Sequence, residues 1–256
     1  NGLLYSLPDA VAAGLIEPVL YRWEGTGYKF DLLPEAVLQP WVGYWILCRA
    51  NTKLRPMTLI FQPAEAGTAR AAETAATVRA QGDVWELPIN VADLATNQKA
   101  TVILGAQVKA TNQTDFGLDI AAPPMAPGGM SLTSRSGMLG EPLLRDYRSL
   151  VNGADYRWEV TISGTPGSQV VVNWPKLTGL PRDYVLTLHD QVTGEDRYMR
   201  TSATYTVTLG AQERERQLVI TAAPGIRAWM AASSSGQHTT TRGSASPKKY
   251  ASSPLR

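Results

Sequence analysis

The feature that most constrains this chain is its punctuation. Between residues 83 and 224, short apolar runs recur at spacings of roughly 10–15 residues, with turn residues between them. The runs at 84–91, 99–106, 143–147, 157–163, 169–174, 185–190, 196–199, 204–209 and 216–222 each read as a strand. Several alternate apolar with polar side chains, most cleanly Tyr205-Thr206-Val207-Thr208-Leu209. That alternation sends one face of a strand to a core and the other to solvent. A series of this kind predicts an antiparallel β-sandwich over 83–224.

A smaller β-unit is predicted over 1–63. Tyr21-Arg22-Trp23 and Tyr28-Lys29-Phe30 flank the turn Glu24-Gly25-Thr26-Gly27, a hairpin pattern. Further apolar runs lie at 3–7, 42–48 and 57–61, and residues 9–16 allow one or two helical turns. Short runs broken by Gly and Pro predict a small meander or barrel-like module. Residues 64–82 are rich in Ala, Thr and Arg without an apolar stripe. They read as a linker, with one strand near 76–79. Residues 112–142 read as one long loop, because Ala121-Ala122-Pro123-Pro124-Met125-Ala126-Pro127-Gly128-Gly129 suits neither a strand nor a helix interior. Long loops in compact domains often carry function, so this is where a recognition site is expected. The Ser, Thr, Gly and Lys composition of 225–256 predicts a disordered tail.

Composition excludes several classes of function. The apolar share is 44%, enough to fill real cores, while 24 basic and 22 acidic residues leave a formal net charge of +2. Such a balance gives no electrostatic reason to expect a nucleic-acid partner. No run reaches about 18 consecutive apolar residues, so no transmembrane segment is expected. Cys48 is the single cysteine, which rules out an internal disulfide framework and a Cys-rich zinc site. Within Trp45-Ile46-Leu47-Cys48 it reads as a small buried hydrophobe. The chain opens in a strand-like run without a visible signal peptide, which reads as a piece of a longer protein.

Three groups of residues resemble a known arrangement. The first is Leu4-Tyr5-Ser6-Leu7-Pro8, then Leu20-Tyr21-Arg22-Trp23-Glu24-Gly25 and Gly43-Tyr44-Trp45. The second is Trp85-Glu86-Leu87-Pro88-Ile89 with Thr114-Asp115-Phe116-Gly117-Leu118-Asp119 and the double proline. The third is Tyr156-Arg157-Trp158-Glu159-Val160, Val170-Val171-Val172-Asn173-Trp174, and Leu188-His189-Asp190 with Thr193-Gly194. Together they resemble the C-terminal accessory β-modules of large secreted or cell-surface proteins of environmental bacteria, a small "GYW" module followed by a β-sandwich, after which an immunoglobulin-like or sorting-signal domain commonly comes next. The resemblance implies a location outside the cytoplasm, an accessory role and no catalytic residue. It also implies a further β-domain, where this chain has its polar tail.

Each chemical candidate has a plainer structural reading. Tyr28, Trp41 and Tyr44 could form an aromatic platform for sugar rings, but aromatics also fill the thin cores of small β-modules. Asp115 and Asp119 supply oxygen ligands of the kind calcium takes, but in a Gly-containing loop the same residues cap turns. His189 and His238 lie far apart in sequence, and Gly-x-Ser-x-Gly does not occur. Glu159, Asp183, Asp190, Glu195 and Asp196 read as solvated edges and turns. Glu213-Arg214-Glu215-Arg216 reads as a guarded sheet edge. The chain is therefore expected to be a non-catalytic, extracellular accessory pair that needs no cofactor. It would space, present or attach other domains of the same parent chain, with polysaccharide or the cell envelope as outside partners. A carbohydrate-binding module is the alternative, and a hydrolase fragment the third reading.

Overall fold

The computed structural model describes residues 4–33, 36, 38–49, 58, 60, 83–135, 140–175, 177 and 180–225. The linker expected over 64–82, most of the run at 57–61 and all but the first residue of the tail lie outside them. Among the described residues the chain is all-β apart from one short helix. A three-stranded sheet is followed by an eleven-stranded, nearly closed barrel-like sheet.

The small unit opens with α1 (Leu7–Ala12), capped by Ser6, whose Oγ accepts the Asp9 N–H at 3.2 Å. β1 (Ile16–Trp23) then pairs with β2 (Tyr28–Leu32) through the expected hairpin and with β3 (Tyr44–Cys48) on its other edge. Among the described residues the order β2–β1–β3 makes this an open sheet rather than a closed barrel. Cys48 corrects its sequence reading: it ends an edge strand and is exposed.

The large sheet uses every strand expected over 83–224. They are β4 (Val84–Asp93), β5 (Lys99–Gln107), β8 (Pro142–Ser149), β9 (Tyr156–Ser163), β10 (Gln169–Asn173), β11 (Tyr184–Asp190), β12 (Asp196–Tyr198), β13 (Thr204–Thr208) and β14 (Glu215–Pro224). Two more strands interrupt the expected loop, β6 (Ile120–Ala121) and β7 (Ser131–Arg135). The path of pairing is β12–β11–β14–β9–β7–β8–β5–β4–β10–β13, with β6 beside β8.

β8 joins the two halves of this path. Leu143 pairs with both Ser134 of β7 and Ala121 of β6, and Arg145 pairs with both Ile103 of β5 and Ile120 of β6. β6 thus occupies one edge of β8, while β7 and then β5 share the other. The halves fork apart from that shared edge and enclose the core. The sheet is not wholly antiparallel as expected, because β5 and β8 run parallel. The excursion from 108 to 141 that carries β6 and β7 supplies the long crossover a parallel pair requires.

The core between the halves is aromatic at one end. Trp85 meets Trp158 edge-on with ring centroids 5.7 Å apart, and Tyr156 stacks on Trp158 at 5.8 Å. Trp85, Trp158 and Trp174 are buried, and Trp23 is half-buried on the small sheet. Pro88 is tolerated in β4 for a definable reason. The bond from Asp93 N–H to Gln98 O sets the pairing phase with β5, so the missing Pro88 N–H would point toward β10. β10 pairs only with Asn90–Asp93, so no ladder bond is lost there. Gly105 is equally constrained: a Cβ there would lie 2.4 Å from the Trp85 carbonyl oxygen and 2.9 Å from the Tyr147 ring.

The outer strands of the path are bridged by a buried polar group. Asp190 of β11 accepts from Tyr205 Oη of β13 at 2.9 Å and from Arg216 Nη1 of β14 at 2.8 Å. Arg216 also donates to Thr208 O of β13 and to Glu213. Burial opposes ionisation of Asp190. The Val192 N–H, Tyr205, Thr193 N–H and Arg216 outweigh it and hold the carboxyl below the usual carboxylate range. This corrects two sequence readings. Arg216 lies on a strand paired along both edges, between β11 and β9, and Asp190 is buried rather than solvated. Among the described residues no helix is long and apolar enough to cross a membrane.

Candidate functional site

The two sheets meet along one face of the small one, and the concave features nearest the expected site residues lie at this junction. Val19 and Tyr21 of β1, with Tyr28 and Phe30 of β2, pack against Ile120, Ala122 and Leu144. Tyr21 Oη donates to Ala121 O at 2.5 Å. Burial pushes this phenol far above its usual range, so it remains a donor. The hairpin turn abuts β5, where Lys99 N–H donates to Thr26 O at 2.8 Å. A Cβ on Gly27 would lie 2.3 Å from Lys99 O, so only glycine permits this approach.

Beside this seam Arg49 acts as a clamp. Its Nε donates to buried Glu17 at 2.6 Å, and Nη1 and Nη2 donate to Glu141 at 3.0 and 2.7 Å. Glu17 belongs to β1 and Glu141 immediately precedes β8, so one guanidinium links both sheets. A fork geometry of this kind is the strong form of an ion pair.

A cavity of about 270 Å³ opens under the clamp, lined by Glu17, Arg49, Phe116, Asp119 and Glu141 among others. Asp115 and Asp119 come together here, and each oxygen accepts a hydrogen bond. Asp115 takes the Thr111 N–H at 2.5 Å and the Thr111 hydroxyl at 3.0 Å. Asp119 takes the Asp115 N–H at 2.7 Å and the Tyr147 N–H at 2.8 Å. Asp119 therefore holds the loop after β5 against β8, and Asp115 closes that loop on itself. Burial raises the Asp119 pKa to about 6, against the pull of those two N–H groups and with the charges of Asp146 and Asp115 adding to the rise. Among the described residues no three His, Cys, Asp or Glu side chains gather as a metal site.

On the other side of the seam a groove of about 210 Å³ runs between β2, the start of β5, β7 and the proline-rich segment, whose Ala122, Pro123 and Met125 line it. The segment expected to hold a recognition site thus forms one wall of a groove. Tyr28 lines it, in edge contact with Trp23 at 5.1 Å. Trp41 and Tyr44 do not. Tyr44 lies opposite Arg22, whereas Tyr28 lies opposite Trp23, so the two tyrosines project from opposite faces of the small sheet. The Tyr44 hydroxyl accepts the Gln39 N–H at 3.0 Å, and Trp41 is fully exposed with φ of 65°.

The remaining polar candidates are engaged elsewhere. His189 Nδ1 lies 2.7 Å from Asp196, across the β11–β12 hairpin. Ser134 donates to buried Asp146 at 2.6 Å. Sequence reasoning singled out neither the clamp residues Glu17, Arg49 and Glu141 nor the groove residues Lys99 and Met130. Their partners are distant in sequence, and only the sandwich expectation hinted that such pieces meet. Against protein-family models, curated proteins and solved structures, the chain gives no match.

Proposed function

We propose that this chain is a non-catalytic accessory unit of a larger protein outside the cell, in which the two sheets together space, present or attach other domains of the same parent chain. The observation that supports this reading is the seam itself. A guanidinium clamp, a buried tyrosine bond and a shared apolar cluster join the small sheet to the large one as one body. A spacer needs such stiffness, because a hinged pair would not hold its neighbours at a fixed separation. The test is the coding sequence upstream of Asn1, combined with fractionation of cells expressing the whole gene. The expected result is an export signal and a further domain, with the product in the envelope or medium. A cytoplasmic product with no such domain overturns the proposal.

A second reading, carbohydrate binding, is favoured by Trp41 alone. A fully exposed indole on a non-glycine residue at positive φ is uncommon, and backbone outliers gather at binding sites. Retention of the chain on a polysaccharide panel, lost on Trp41→Ala, would support it. Passage through every polysaccharide unretarded would dispose of it.

A further inference from the structure

We propose that the groove between β2 and the β5–β7 fork binds a small amphipathic carboxylate, an aromatic or branched aliphatic body bearing a single negative charge. The walls supply the apolar part. Tyr28 and Phe30 stand on the inner face of β2, with Met125, Met130 and Leu144 across from them. Methionine side chains adapt to irregular apolar shapes, which suits a shallow groove holding a flat ring. A space of about 210 Å³ accommodates a ring with a short chain.

The charge follows from what lines the groove and what does not. No Asp or Glu is among its described lining residues, so an anion meets no repulsion from its walls. Two lysines border it, and the strand alternation separates their roles. Lys29 lies opposite Arg22 on the outer face of the small sheet, and its ammonium pairs with Glu24 at 2.7 Å. Lys99 alternates with Val102 and Leu104 of the core, so with Thr101 it projects from the outer surface of β5, the surface the groove covers. Lys99 makes no ion pair among the described residues. An ammonium without an ion pair among the described residues, beside an apolar slot, favours a ligand with one anionic end. Both sheets contribute walls, so the site exists only while they are docked. The proposal does not depend on the accessory reading.

The experiment titrates 4-phenylbutyrate into the whole chain, followed by amide chemical shifts or calorimetry, with 4-phenyl-1-butanol as the uncharged match. We expect saturable binding with Kd on the order of 1 mM, the affinity reasonable for a dozen non-hydrogen atoms. The alcohol should bind about tenfold more weakly, and Lys99→Glu should lose about tenfold or more. Lys29→Ala should stay within about twofold, since that ammonium belongs to Glu24. If Lys99→Glu lowers the melting temperature, Lys99→Gln replaces it. Equal binding of acid and alcohol, unchanged binding in the Lys99 variants, or no saturation at ten times the expected Kd each overturns the proposal.

Discussion

The two sheets are built from the same kinds of strand but are stabilised differently. The large sheet encloses its own core: Trp158, Leu87, Ile89, Leu104 and Ile162 are wholly buried between its halves. Among the described residues the small unit has a much smaller interior: Ala10, Ile16 and Leu20 are buried, and Val19 and Tyr21 are covered by Ile120 and Leu144, which belong to the large sheet. Three strands without a covered face are marginal in water. The comparison teaches that one sheet is a fold in its own right, whereas the other holds its shape by leaning on it.

The largest expected effect tests the self-sufficient half. Trp158 is wholly buried, and its indole N–H has no hydrogen-bond partner among the described residues, so it contributes by filling space. Trp158→Ala should cost about 3–5 kcal/mol in chemical denaturation. Trp158→Phe, which keeps a ring and removes an unpaired donor, should cost much less. An alanine cost under about 1 kcal/mol would mean that this core is not what holds the large sheet, and the contrast would collapse.

The next effect belongs to the joint. Asp119 is buried at the seam, with its pKa raised from 3.8 to about 6. The folded chain therefore holds this proton more tightly than the unfolded chain. The extra stability is fully present below about pH 4, is lost as pH rises through about 6, and is constant above that. Its size is about 3 kcal/mol. Burial also raises Asp146, so it contributes in the same direction. Asp119→Asn should flatten the slope between pH 4 and 6. It should also cost about 1–2 kcal/mol at low pH, because an amide has one accepting oxygen for two N–H donors. An unchanged slope in that variant would place the titration elsewhere.

A smaller effect separates the sheets. Arg49→Ala leaves buried Glu17 without its cation. One-third exposure of the Arg49 side chain screens the pair, so the expected cost is about 1–3 kcal/mol. The loss should be local. Amide exchange should quicken across β1, β2 and β3 and stay unchanged across β9 and β14. Equal quickening in both sheets would show a single cooperative unit and erase the distinction drawn above.

The same difference sets how much was legible in the sequence. Strands of the large sheet announce themselves, because a side chain that alternates into a private core leaves a period of two. β7 escaped because Ser131-Leu132-Thr133-Ser134-Arg135 carries one large apolar residue and follows a proline- and glycine-rich stretch. Leu132 is nonetheless wholly buried, paired in by β9. Arg216 misled because a charged residue at a strand start ordinarily faces water, and its buried partner Asp190 lies 26 residues away. The clamp was invisible for the same reason: Arg49 and Glu141 are 92 residues apart. Tyr28 was singled out as part of an aromatic platform for sugar rings, and it lines the groove. Grouping it with Tyr44 failed because register, which sequence does not fix across a hairpin and a crossing strand, puts them on opposite faces.

The smallest effect separates what Trp41 does for the fold from the ligand contact proposed for it. Its side chain is fully exposed, so removing it forfeits almost no burial. Its φ of 65° is one that glycine adopts freely and a large L-residue does not. Trp41→Gly should therefore leave stability within about 0.5 kcal/mol of the parent, because relief at positive φ offsets the greater freedom of the unfolded glycine chain. Trp41→Ala, which keeps the strained φ without the indole, should be the less stable of the two in the same denaturation measurement. That order of stabilities would show a conformational cost at position 41 that burial of the indole does not offset. A loss above about 1 kcal/mol in Trp41→Gly would mean instead that the indole braces the turn before β3, adding to the contacts the small sheet makes within itself.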